Sequence, residues 1–484
     1  GTSALTLNTT GTRNTGVGAT ALDACTTGNY NTALGFAAGS SLTTATHSTY
    51  VGDSAGNATT TGLYNTSVGQ ASMQLNTTGG YNTAVGQAAL NATTTGVQNT
   101  ALGYGAGAAN TTGQYSIFIG KDAGAANTSG TEHTFVGYLA GRYTTGSGID
   151  YNTGIGSRAL YANSSGEQNV GVGAYALNAN TTASHNTAVG YNSLGVNTTG
   201  TGNNALGYLS LDANTTASYN TAMGHLALTA NTTAADNTAF GGQAMYANTT
   251  GANNTAVGSQ ALYANTTGAG NTAVGYQAGD AITTGATNIC IGDNAGSYTT
   301  LLQTGDRNLL IGGLSHTSAT DSDQQIILGY NVVGAADNSL TFGNDSTDSS
   351  INFGATSITA PSDVRLKEDI QDEEVGLSFI NDLRPVTFQW KKEKDVPSEM
   401  KAHVADSEKR VMNGKYNHGF IAQEVKEVID NHGLKDGFDM WTEDETDGRQ
   451  RIGEASLMPL MVKAVQELSA KVEELEDKLN KQGE

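Results

Sequence analysis

Along most of this chain a large apolar residue stands immediately before a glycine, at a fixed interval. Val17-Gly18, Leu34-Gly35 and Val51-Gly52 begin a series that runs to Ile291-Gly292. The glycines fall at 18, 35, 52, 69, 86, 103, 120, 137, 156, 173, 190, 207, 224, 241, 258, 275 and 292, so fifteen of the sixteen intervals are 17 residues and the other is 19. With that glycine as position 0, position −1 is apolar in all 17 units, +3 is Ala or Ser, +4 is Leu, Met or Gly, and +8 is Thr except at Ser164. Position −4 is Asn in 14 of the 17, the exceptions being Ser48, Ser116 and His133. Self-similarity at one period is the mark of a repeat architecture. A short extended piece that ends at a glycine, where the chain bends or meets another backbone closely, predicts a parallel β-solenoid.

Within such a coil the −1 residue is expected to stack inward on its counterpart, with small +3 residues permitting close packing. Asn and Thr are expected to form ladders between coils. No unit buries its apolar face alone, so stability has to come from neighbours. At a spacing of ~4.8 Å per coil, the repeats would make a rod of roughly 80 Å. Each coil offers one large aliphatic, a Leu or Gly, and some alanines. At ~1.5–3 kcal/mol per buried large side chain, this barely meets the ordering cost of the unit. Several chains sharing one core are therefore expected. Beyond Gly292 strand-plus-glycine units recur as Leu309–Gly312, Ile326–Gly329, Leu340–Gly343 and Ile351–Gly354, with spacings falling from 17 to 14 to 11, which reads as a tapering neck.

Composition marks one boundary near residue 361. All four prolines and both tryptophans lie at or beyond Pro361, and only five of 23 Lys+Arg precede Ser362. The expected organisation is a shaft over 1–301, a neck or connector over 302–361, and a C-terminal domain over 362–484. That domain closes with a helix over 457–482, in which Met461, Val465, Leu468, Val472, Leu475 and Leu479 form a coiled-coil seam.

The motifs carry two resemblances. Asn-Thr-Ala-Val-Gly pentads (82–86, 186–190, 254–258, 271–275) resemble the head repeats of trimeric autotransporter adhesins, which implies a β-roll shared by three chains. The opening Ser362-Asp363-Val364-Arg365-Leu366-Lys367, the block Gly419–Val425 and the helix around Val462–Leu468 resemble the intramolecular chaperone of endosialidase tailspikes and phage tail fibres. That resemblance implies a homotrimer, templated folding of the upstream fibre, and self-release at Pro361–Ser362 with Ser362 as nucleophile and Lys367 as general base. From the residues alone Ser362 reads as a helix cap or a turn residue after a proline. Residues five apart lie ~140° around a helix or on opposite faces of a strand, so a turn or a partner chain must join them. The whole reads as mainly β: a trimeric parallel β-solenoid followed by a small α+β chaperone domain ending in a coiled-coil helix. The resemblance places it in a virion or outside the cell. Its implied partners are its own copies, a host surface receptor of glycan or outer-membrane kind, and other tail proteins held through a part upstream of Gly1.

Charge and residue spacing narrow the alternatives. A net charge of −21 argues against nucleic acid and against anionic membrane surfaces. No apolar run is long enough to cross a membrane. Cys25 and Cys290 are too many coils apart to bridge within one chain. The eight histidines lack ligand spacing, so no metal and no cofactor are expected. Two rival readings remain. A polysaccharide-cleaving tailspike needs a converging carboxylate pair, yet the 16 acids before Ser362 scatter over coil positions. A stand-alone glycan- or ice-binding solenoid would be monomeric, with the C-terminal domain a mere cap.

Overall fold

The structure is a computed structural model. It describes all residues except 147–149, 346, 356–357, 359–363, 365–366, 369, 399, 401, 435–439, 444–447, 454–455 and 483–484. The chain divides into two compact units, Gly1–Pro361 and Ser362–Glu484.

The first unit is a solenoid built from one three-residue strand per coil, from β1 (Thr15–Val17) through β17 (Ile289–Ile291) to β18 (Leu309–Ile311). Each strand pairs in parallel and in register with its successor, as in Thr187↔Asn204, Ala188↔Ala205 and Val189↔Leu206. The stack continues through β19 (Gln325–Tyr330) and β20 (Ser339–Asn344). β21 (Thr347–Asn352) then turns back antiparallel on β20, so the last of the four units after Gly292 does not add another parallel coil.

The coil closes because several positions leave the right-handed regions of the backbone. In one coil Gly202, Leu209 and Leu211 sit at φ 67°, 53° and 50°. For a non-glycine residue that conformation is unfavourable by roughly 1 kcal/mol. Inter-coil hydrogen bonds hold it: Leu209 N–H donates to Tyr191 O at 3.0 Å, and Leu211 N–H to Ala227 O at 3.1 Å. The repeat glycine answers to a stricter constraint. At Gly241 φ is 142°, and a Cβ there would overlap the Gly258 carbonyl of the next coil.

Burial along the strand differs from the simplest expectation. Position −1 faces outward, with Leu34 and Phe240 about half exposed at 50% and 51%. Position −2 points inward instead, because the side chains of a strand alternate; Ala33, Tyr50, Ala101 and Phe118 are fully buried there. The +3 and +4 residues complete the interior, as Ala176 and Leu177 do. One chain therefore closes its own core, without help from a second.

Size complementarity explains the Leu, Met or Gly choice at +4. Wherever −2 is aromatic, the +4 residues of its own coil and the coil before are glycine. Tyr50 lies between Gly39 and Gly56, Phe118 between Gly107 and Gly124, and Phe135 between Gly124 and Gly141. A Cβ on Gly56, Gly124 or Gly141 would run into the adjoining ring. Interiors packed at crystal density leave no slack for both.

Two files of buried asparagine run through the same core. At −4, Asn203 N–H donates to Asn186 Oδ1 at 2.9 Å, and Asn203 Nδ2 donates to Ala217 O at 2.8 Å. At +7, Asn214 Nδ2 donates to Asn197 Oδ1 at 2.9 Å and to Ala217 O at 3.0 Å. These amides satisfy buried backbone groups that a closing turn would otherwise strand. The threonines at +8 act differently: Thr198 Oγ1 donates to the Thr215 carbonyl at 3.0 Å, so the hydroxyls bond backbone rather than each other. Cys25 and Cys290 are free and buried.

Neighbouring glycines offer a test. Gly241→Ala should lower the thermal midpoint by several degrees, because it adds both the overlap and a disfavoured φ. Gly242→Ala, whose Cβ would find only Ser259 Oγ at 4.0 Å, should leave it within about a degree. Thermal melts of both variants followed by circular dichroism check this.

Candidate functional site

The second unit contains α1 (Leu377–Asp382), β22 (Val386–Phe388), β23 (Asn417–Gly419), α2 (Ala422–Asn431), β24 (Trp441–Glu443), β25 (Gln450–Ile452) and α3 (Leu457–Gln482). β22 pairs antiparallel with β23, and β24 with β25. Phe379 of α1, Val425 and Ile429 of α2, Met440, and Leu457 and Leu460 at the start of α3 form the core. Val425 and Ile429 are one helical turn apart, so α2 turns a single apolar stripe inward.

Polar ties fix the helices. The free N–H of Leu377 at the start of α1 donates to Glu467 Oε2 of α3 at 2.9 Å, an acceptor supplied by another helix to a terminus that has no side-chain cap of its own. Arg384 holds Glu424 with both guanidinium arms, its Nε donating to Oε2 at 2.9 Å. That fork keeps the Glu424 carboxyl below the usual carboxylate range. The pair joins two blocks that the sequence presents far apart, Leu383-Arg384-Pro385 and Gln423-Glu424-Val425. Glu408 bridges Lys392 and Lys394, whose hydrogen bonds pull its carboxyl down to about 2. Lys426 bonds Asp430 at 2.8 Å and lies 5.1 Å from the centre of the Trp441 ring.

Of the two residues expected to carry chemistry, Ser362 lies outside the described residues, as does Pro361. Lys367 is described and exposed, and its backbone N–H donates to Val364 O at 3.2 Å. Neither cysteine is placed to act as a nucleophile. Burial pushes the Cys290 thiol up to about 12, which leaves it protonated and inert at neutral pH.

The most telling feature is α3 beyond its first turns. Leu457, Leu460 and Ala464 pack into the core, and from there the helix runs out with an apolar row facing solvent. Met461, Val465, Leu468, Val472, Leu475 and Leu479 are 47–71% exposed. Their 4-3-4-3-4 spacing was readable in the sequence. The ties from Glu467 to α1 and from Arg384 to Glu424 were not, because both depend on how the helices pack. Among the described residues, no cluster of side chains could hold a metal ion, and no helix is long and apolar enough to cross a membrane.

A family model described as a chaperone of endosialidase matches residues 362–434, which covers the stretch from the expected nucleophile to just past α2. No curated protein and no solved structure matches the chain.

Phe379→Ala should destabilise this unit by about 3–5 kcal/mol, as expected for truncating a fully buried ring. Hydrogen exchange on the full chain should then show α2 amides deprotected by a hundredfold or more while solenoid amides keep their protection.

Proposed function

We propose that the chain is a homotrimeric viral tail-fibre or adhesin shaft whose C-terminal unit aligns three copies for folding and then cuts itself free. The observation that carries the reading is the bare apolar seam of α3, in a unit whose first part matches the endosialidase chaperone family. A heptad row left in water is a liability unless other helices cover it, and identical copies present the same row. Val at a with Leu at d fits two strands as well as three over so short a helix; the family match favours three.

In the proposed release, Ser362 Oγ attacks the Pro361 carbonyl carbon while the Lys367 amine takes the hydroxyl proton. The Pro361–Ser362 C–N bond breaks, the proton passes to the departing Ser362 nitrogen, and an ester joins the two residues. Water then hydrolyses that ester to a Pro361 carboxylate and a free Ser362 hydroxyl. A lysine acts as base only as the free amine, which requires desolvation or a neighbouring cation. Lys367 is exposed in the single chain. Its activation would therefore depend on burial by partner chains, which would couple cleavage to completed assembly.

The complete single-chain core favours a second reading, a monomeric extracellular solenoid capped by the second unit. Light scattering separates the two. The trimeric reading expects three times the mass of one chain for Ser362→Ala, which remains a single band in denaturing gels, and fragments 1–361 and 362–484 for the natural sequence. Val472→Asp should abolish both trimer and cleavage. A monomeric Ser362→Ala chain overturns the reading.

A further inference from the structure

Before Ser362 the chain has only five cations against 16 carboxylates, and their placement is uneven. Arg13 and Arg307 both stand at position −5. Lys121, Arg142 and Arg158 belong to three successive coils and lie between positions +1 and +6, on the segment that follows the repeat glycine. That segment carries no Lys or Arg in any other coil through Gly292.

Each of these three cations lies against tyrosine. Lys121 Nζ is 5.7 Å from the centre of the Tyr104 ring, Arg142 is 5.5 Å from that of Tyr143, and Arg158 is 5.4 Å and 5.9 Å from those of Tyr161 and Tyr175. Hydrogen bonds between coils set these neighbours side by side: Arg158 N–H donates to Tyr138 O at 2.8 Å, and Tyr143 N–H to Tyr161 O at 3.1 Å. Tyr143 and Tyr161 meet edge to face at 5.0 Å. Asp122 is the one carboxylate on this face, 3.5 Å from Arg142. Among the described residues Lys121 and Arg158 have no carboxylate partner.

We infer that this tyrosine-flanked cationic face, from Tyr104 to Tyr175, binds an acidic polysaccharide, one whose sugars bear carboxylate or phosphate. A ring face beneath a guanidinium holds it in place while leaving its in-plane N–H donors free for an oxyanion. Exposed ring edges beside it offer apolar surface to the C–H faces of sugars. Three such sites on successive coils suit an extended chain better than a compact ligand. The stacked row Tyr30, His47, Tyr64 and Tyr81 differs: its rings lie 4.7–5.0 Å apart and cover one another's faces, and its one cation, Arg13, lies over Tyr30 at the end of the row with an arm bonded to the Tyr30 hydroxyl.

This inference rests on the reading of the shaft as an attachment element outside the cell. The test uses the full chain carrying Ser362→Ala, immobilised in low salt. It is titrated with sodium polygalacturonate, with a mannan whose sugars bear phosphate, with neutral dextran and with double-stranded DNA. At least one acidic polysaccharide should bind, dextran should not, and binding should weaken as salt rises. Polygalacturonate alone would assign carboxylate, the phosphate-bearing mannan alone phosphate, and both together charge as the shared determinant. Arg142→Gln with Arg158→Gln should weaken binding at least tenfold, since each arginine supplies charge-assisted hydrogen bonds. Arg307→Gln should change nothing. If the double variant misfolds, Lys121→Gln alone should still weaken binding about threefold. A trimer by light scattering that binds neither acidic polymer, binds dextran equally, prefers DNA, or is unaffected by these substitutions overturns the inference and leaves the assembly reading intact. A monomer would count against the assembly reading alone.

Discussion

The contact on which the solenoid depends is the one between repeat glycines in successive coils. Each presents its carbonyl to the space where the previous glycine would carry a side chain, as Gly258 does to Gly241. That approach fixes the register at one repeat length, and the register in turn places like residues over like. Only then can Asn186 accept from the Asn203 backbone, and Asn197 from the Asn214 side chain. It also explains how left-handed conformations at residues such as Leu209 and Leu211 are tolerated coil after coil. Each disfavoured backbone is compensated by a hydrogen bond that exists only in the stack.

The same periodicity explains what the sequence shows and what it hides. The period, the strand ending at glycine and the asparagine files are properties of residue type at fixed spacing, so they were legible. Which way the strand faces was not. The sequence Thr187-Ala188-Val189 offers a larger apolar residue at −1 than at −2, and ranking by hydrophobicity turns the valine inward. The coil is too narrow for that, so it buries the alanine and leaves the valine outside, and it takes an aromatic at −2 only where glycine makes room. The partnership of Phe118 with Gly107 and Gly124 was present in the sequence as a correlation between positions. It acquires meaning only when the coil shows the two positions facing each other.

In the second unit the reverse holds. Its apolar seam on α3 was plain from spacing, while the ties that orient the helix, such as Glu467 to Leu377, needed the fold. Candidate chemistry at Ser362 and Lys367 was legible only through resemblance, because a nucleophile and a base five residues apart are brought together by a turn or a partner rather than by helix or strand geometry.

The two units thus distribute apolar surface differently, and the contrast bears on assembly. The solenoid has a closed core and keeps a row of aliphatic side chains outside, diluted by threonine at the start of 13 of its first 17 strands; Leu34 and Phe240 are each flanked in this way. Such a row is not greasy enough to demand a partner, and singly exposed apolar residues are ordinary on protein surfaces. The row on α3 is continuous over several helical turns and has no polar interruption on its own face. The demand for partners is therefore strongest in α3, and the solenoid adds register. Under the proposed trimer, association of three α3 helices would hold three copies together, and each stack could then extend by nearest-neighbour contacts alone. Under the proposed trimeric reading, the second unit would start the process and contribute little once the stack is complete, which is the physical condition under which releasing it would do no harm.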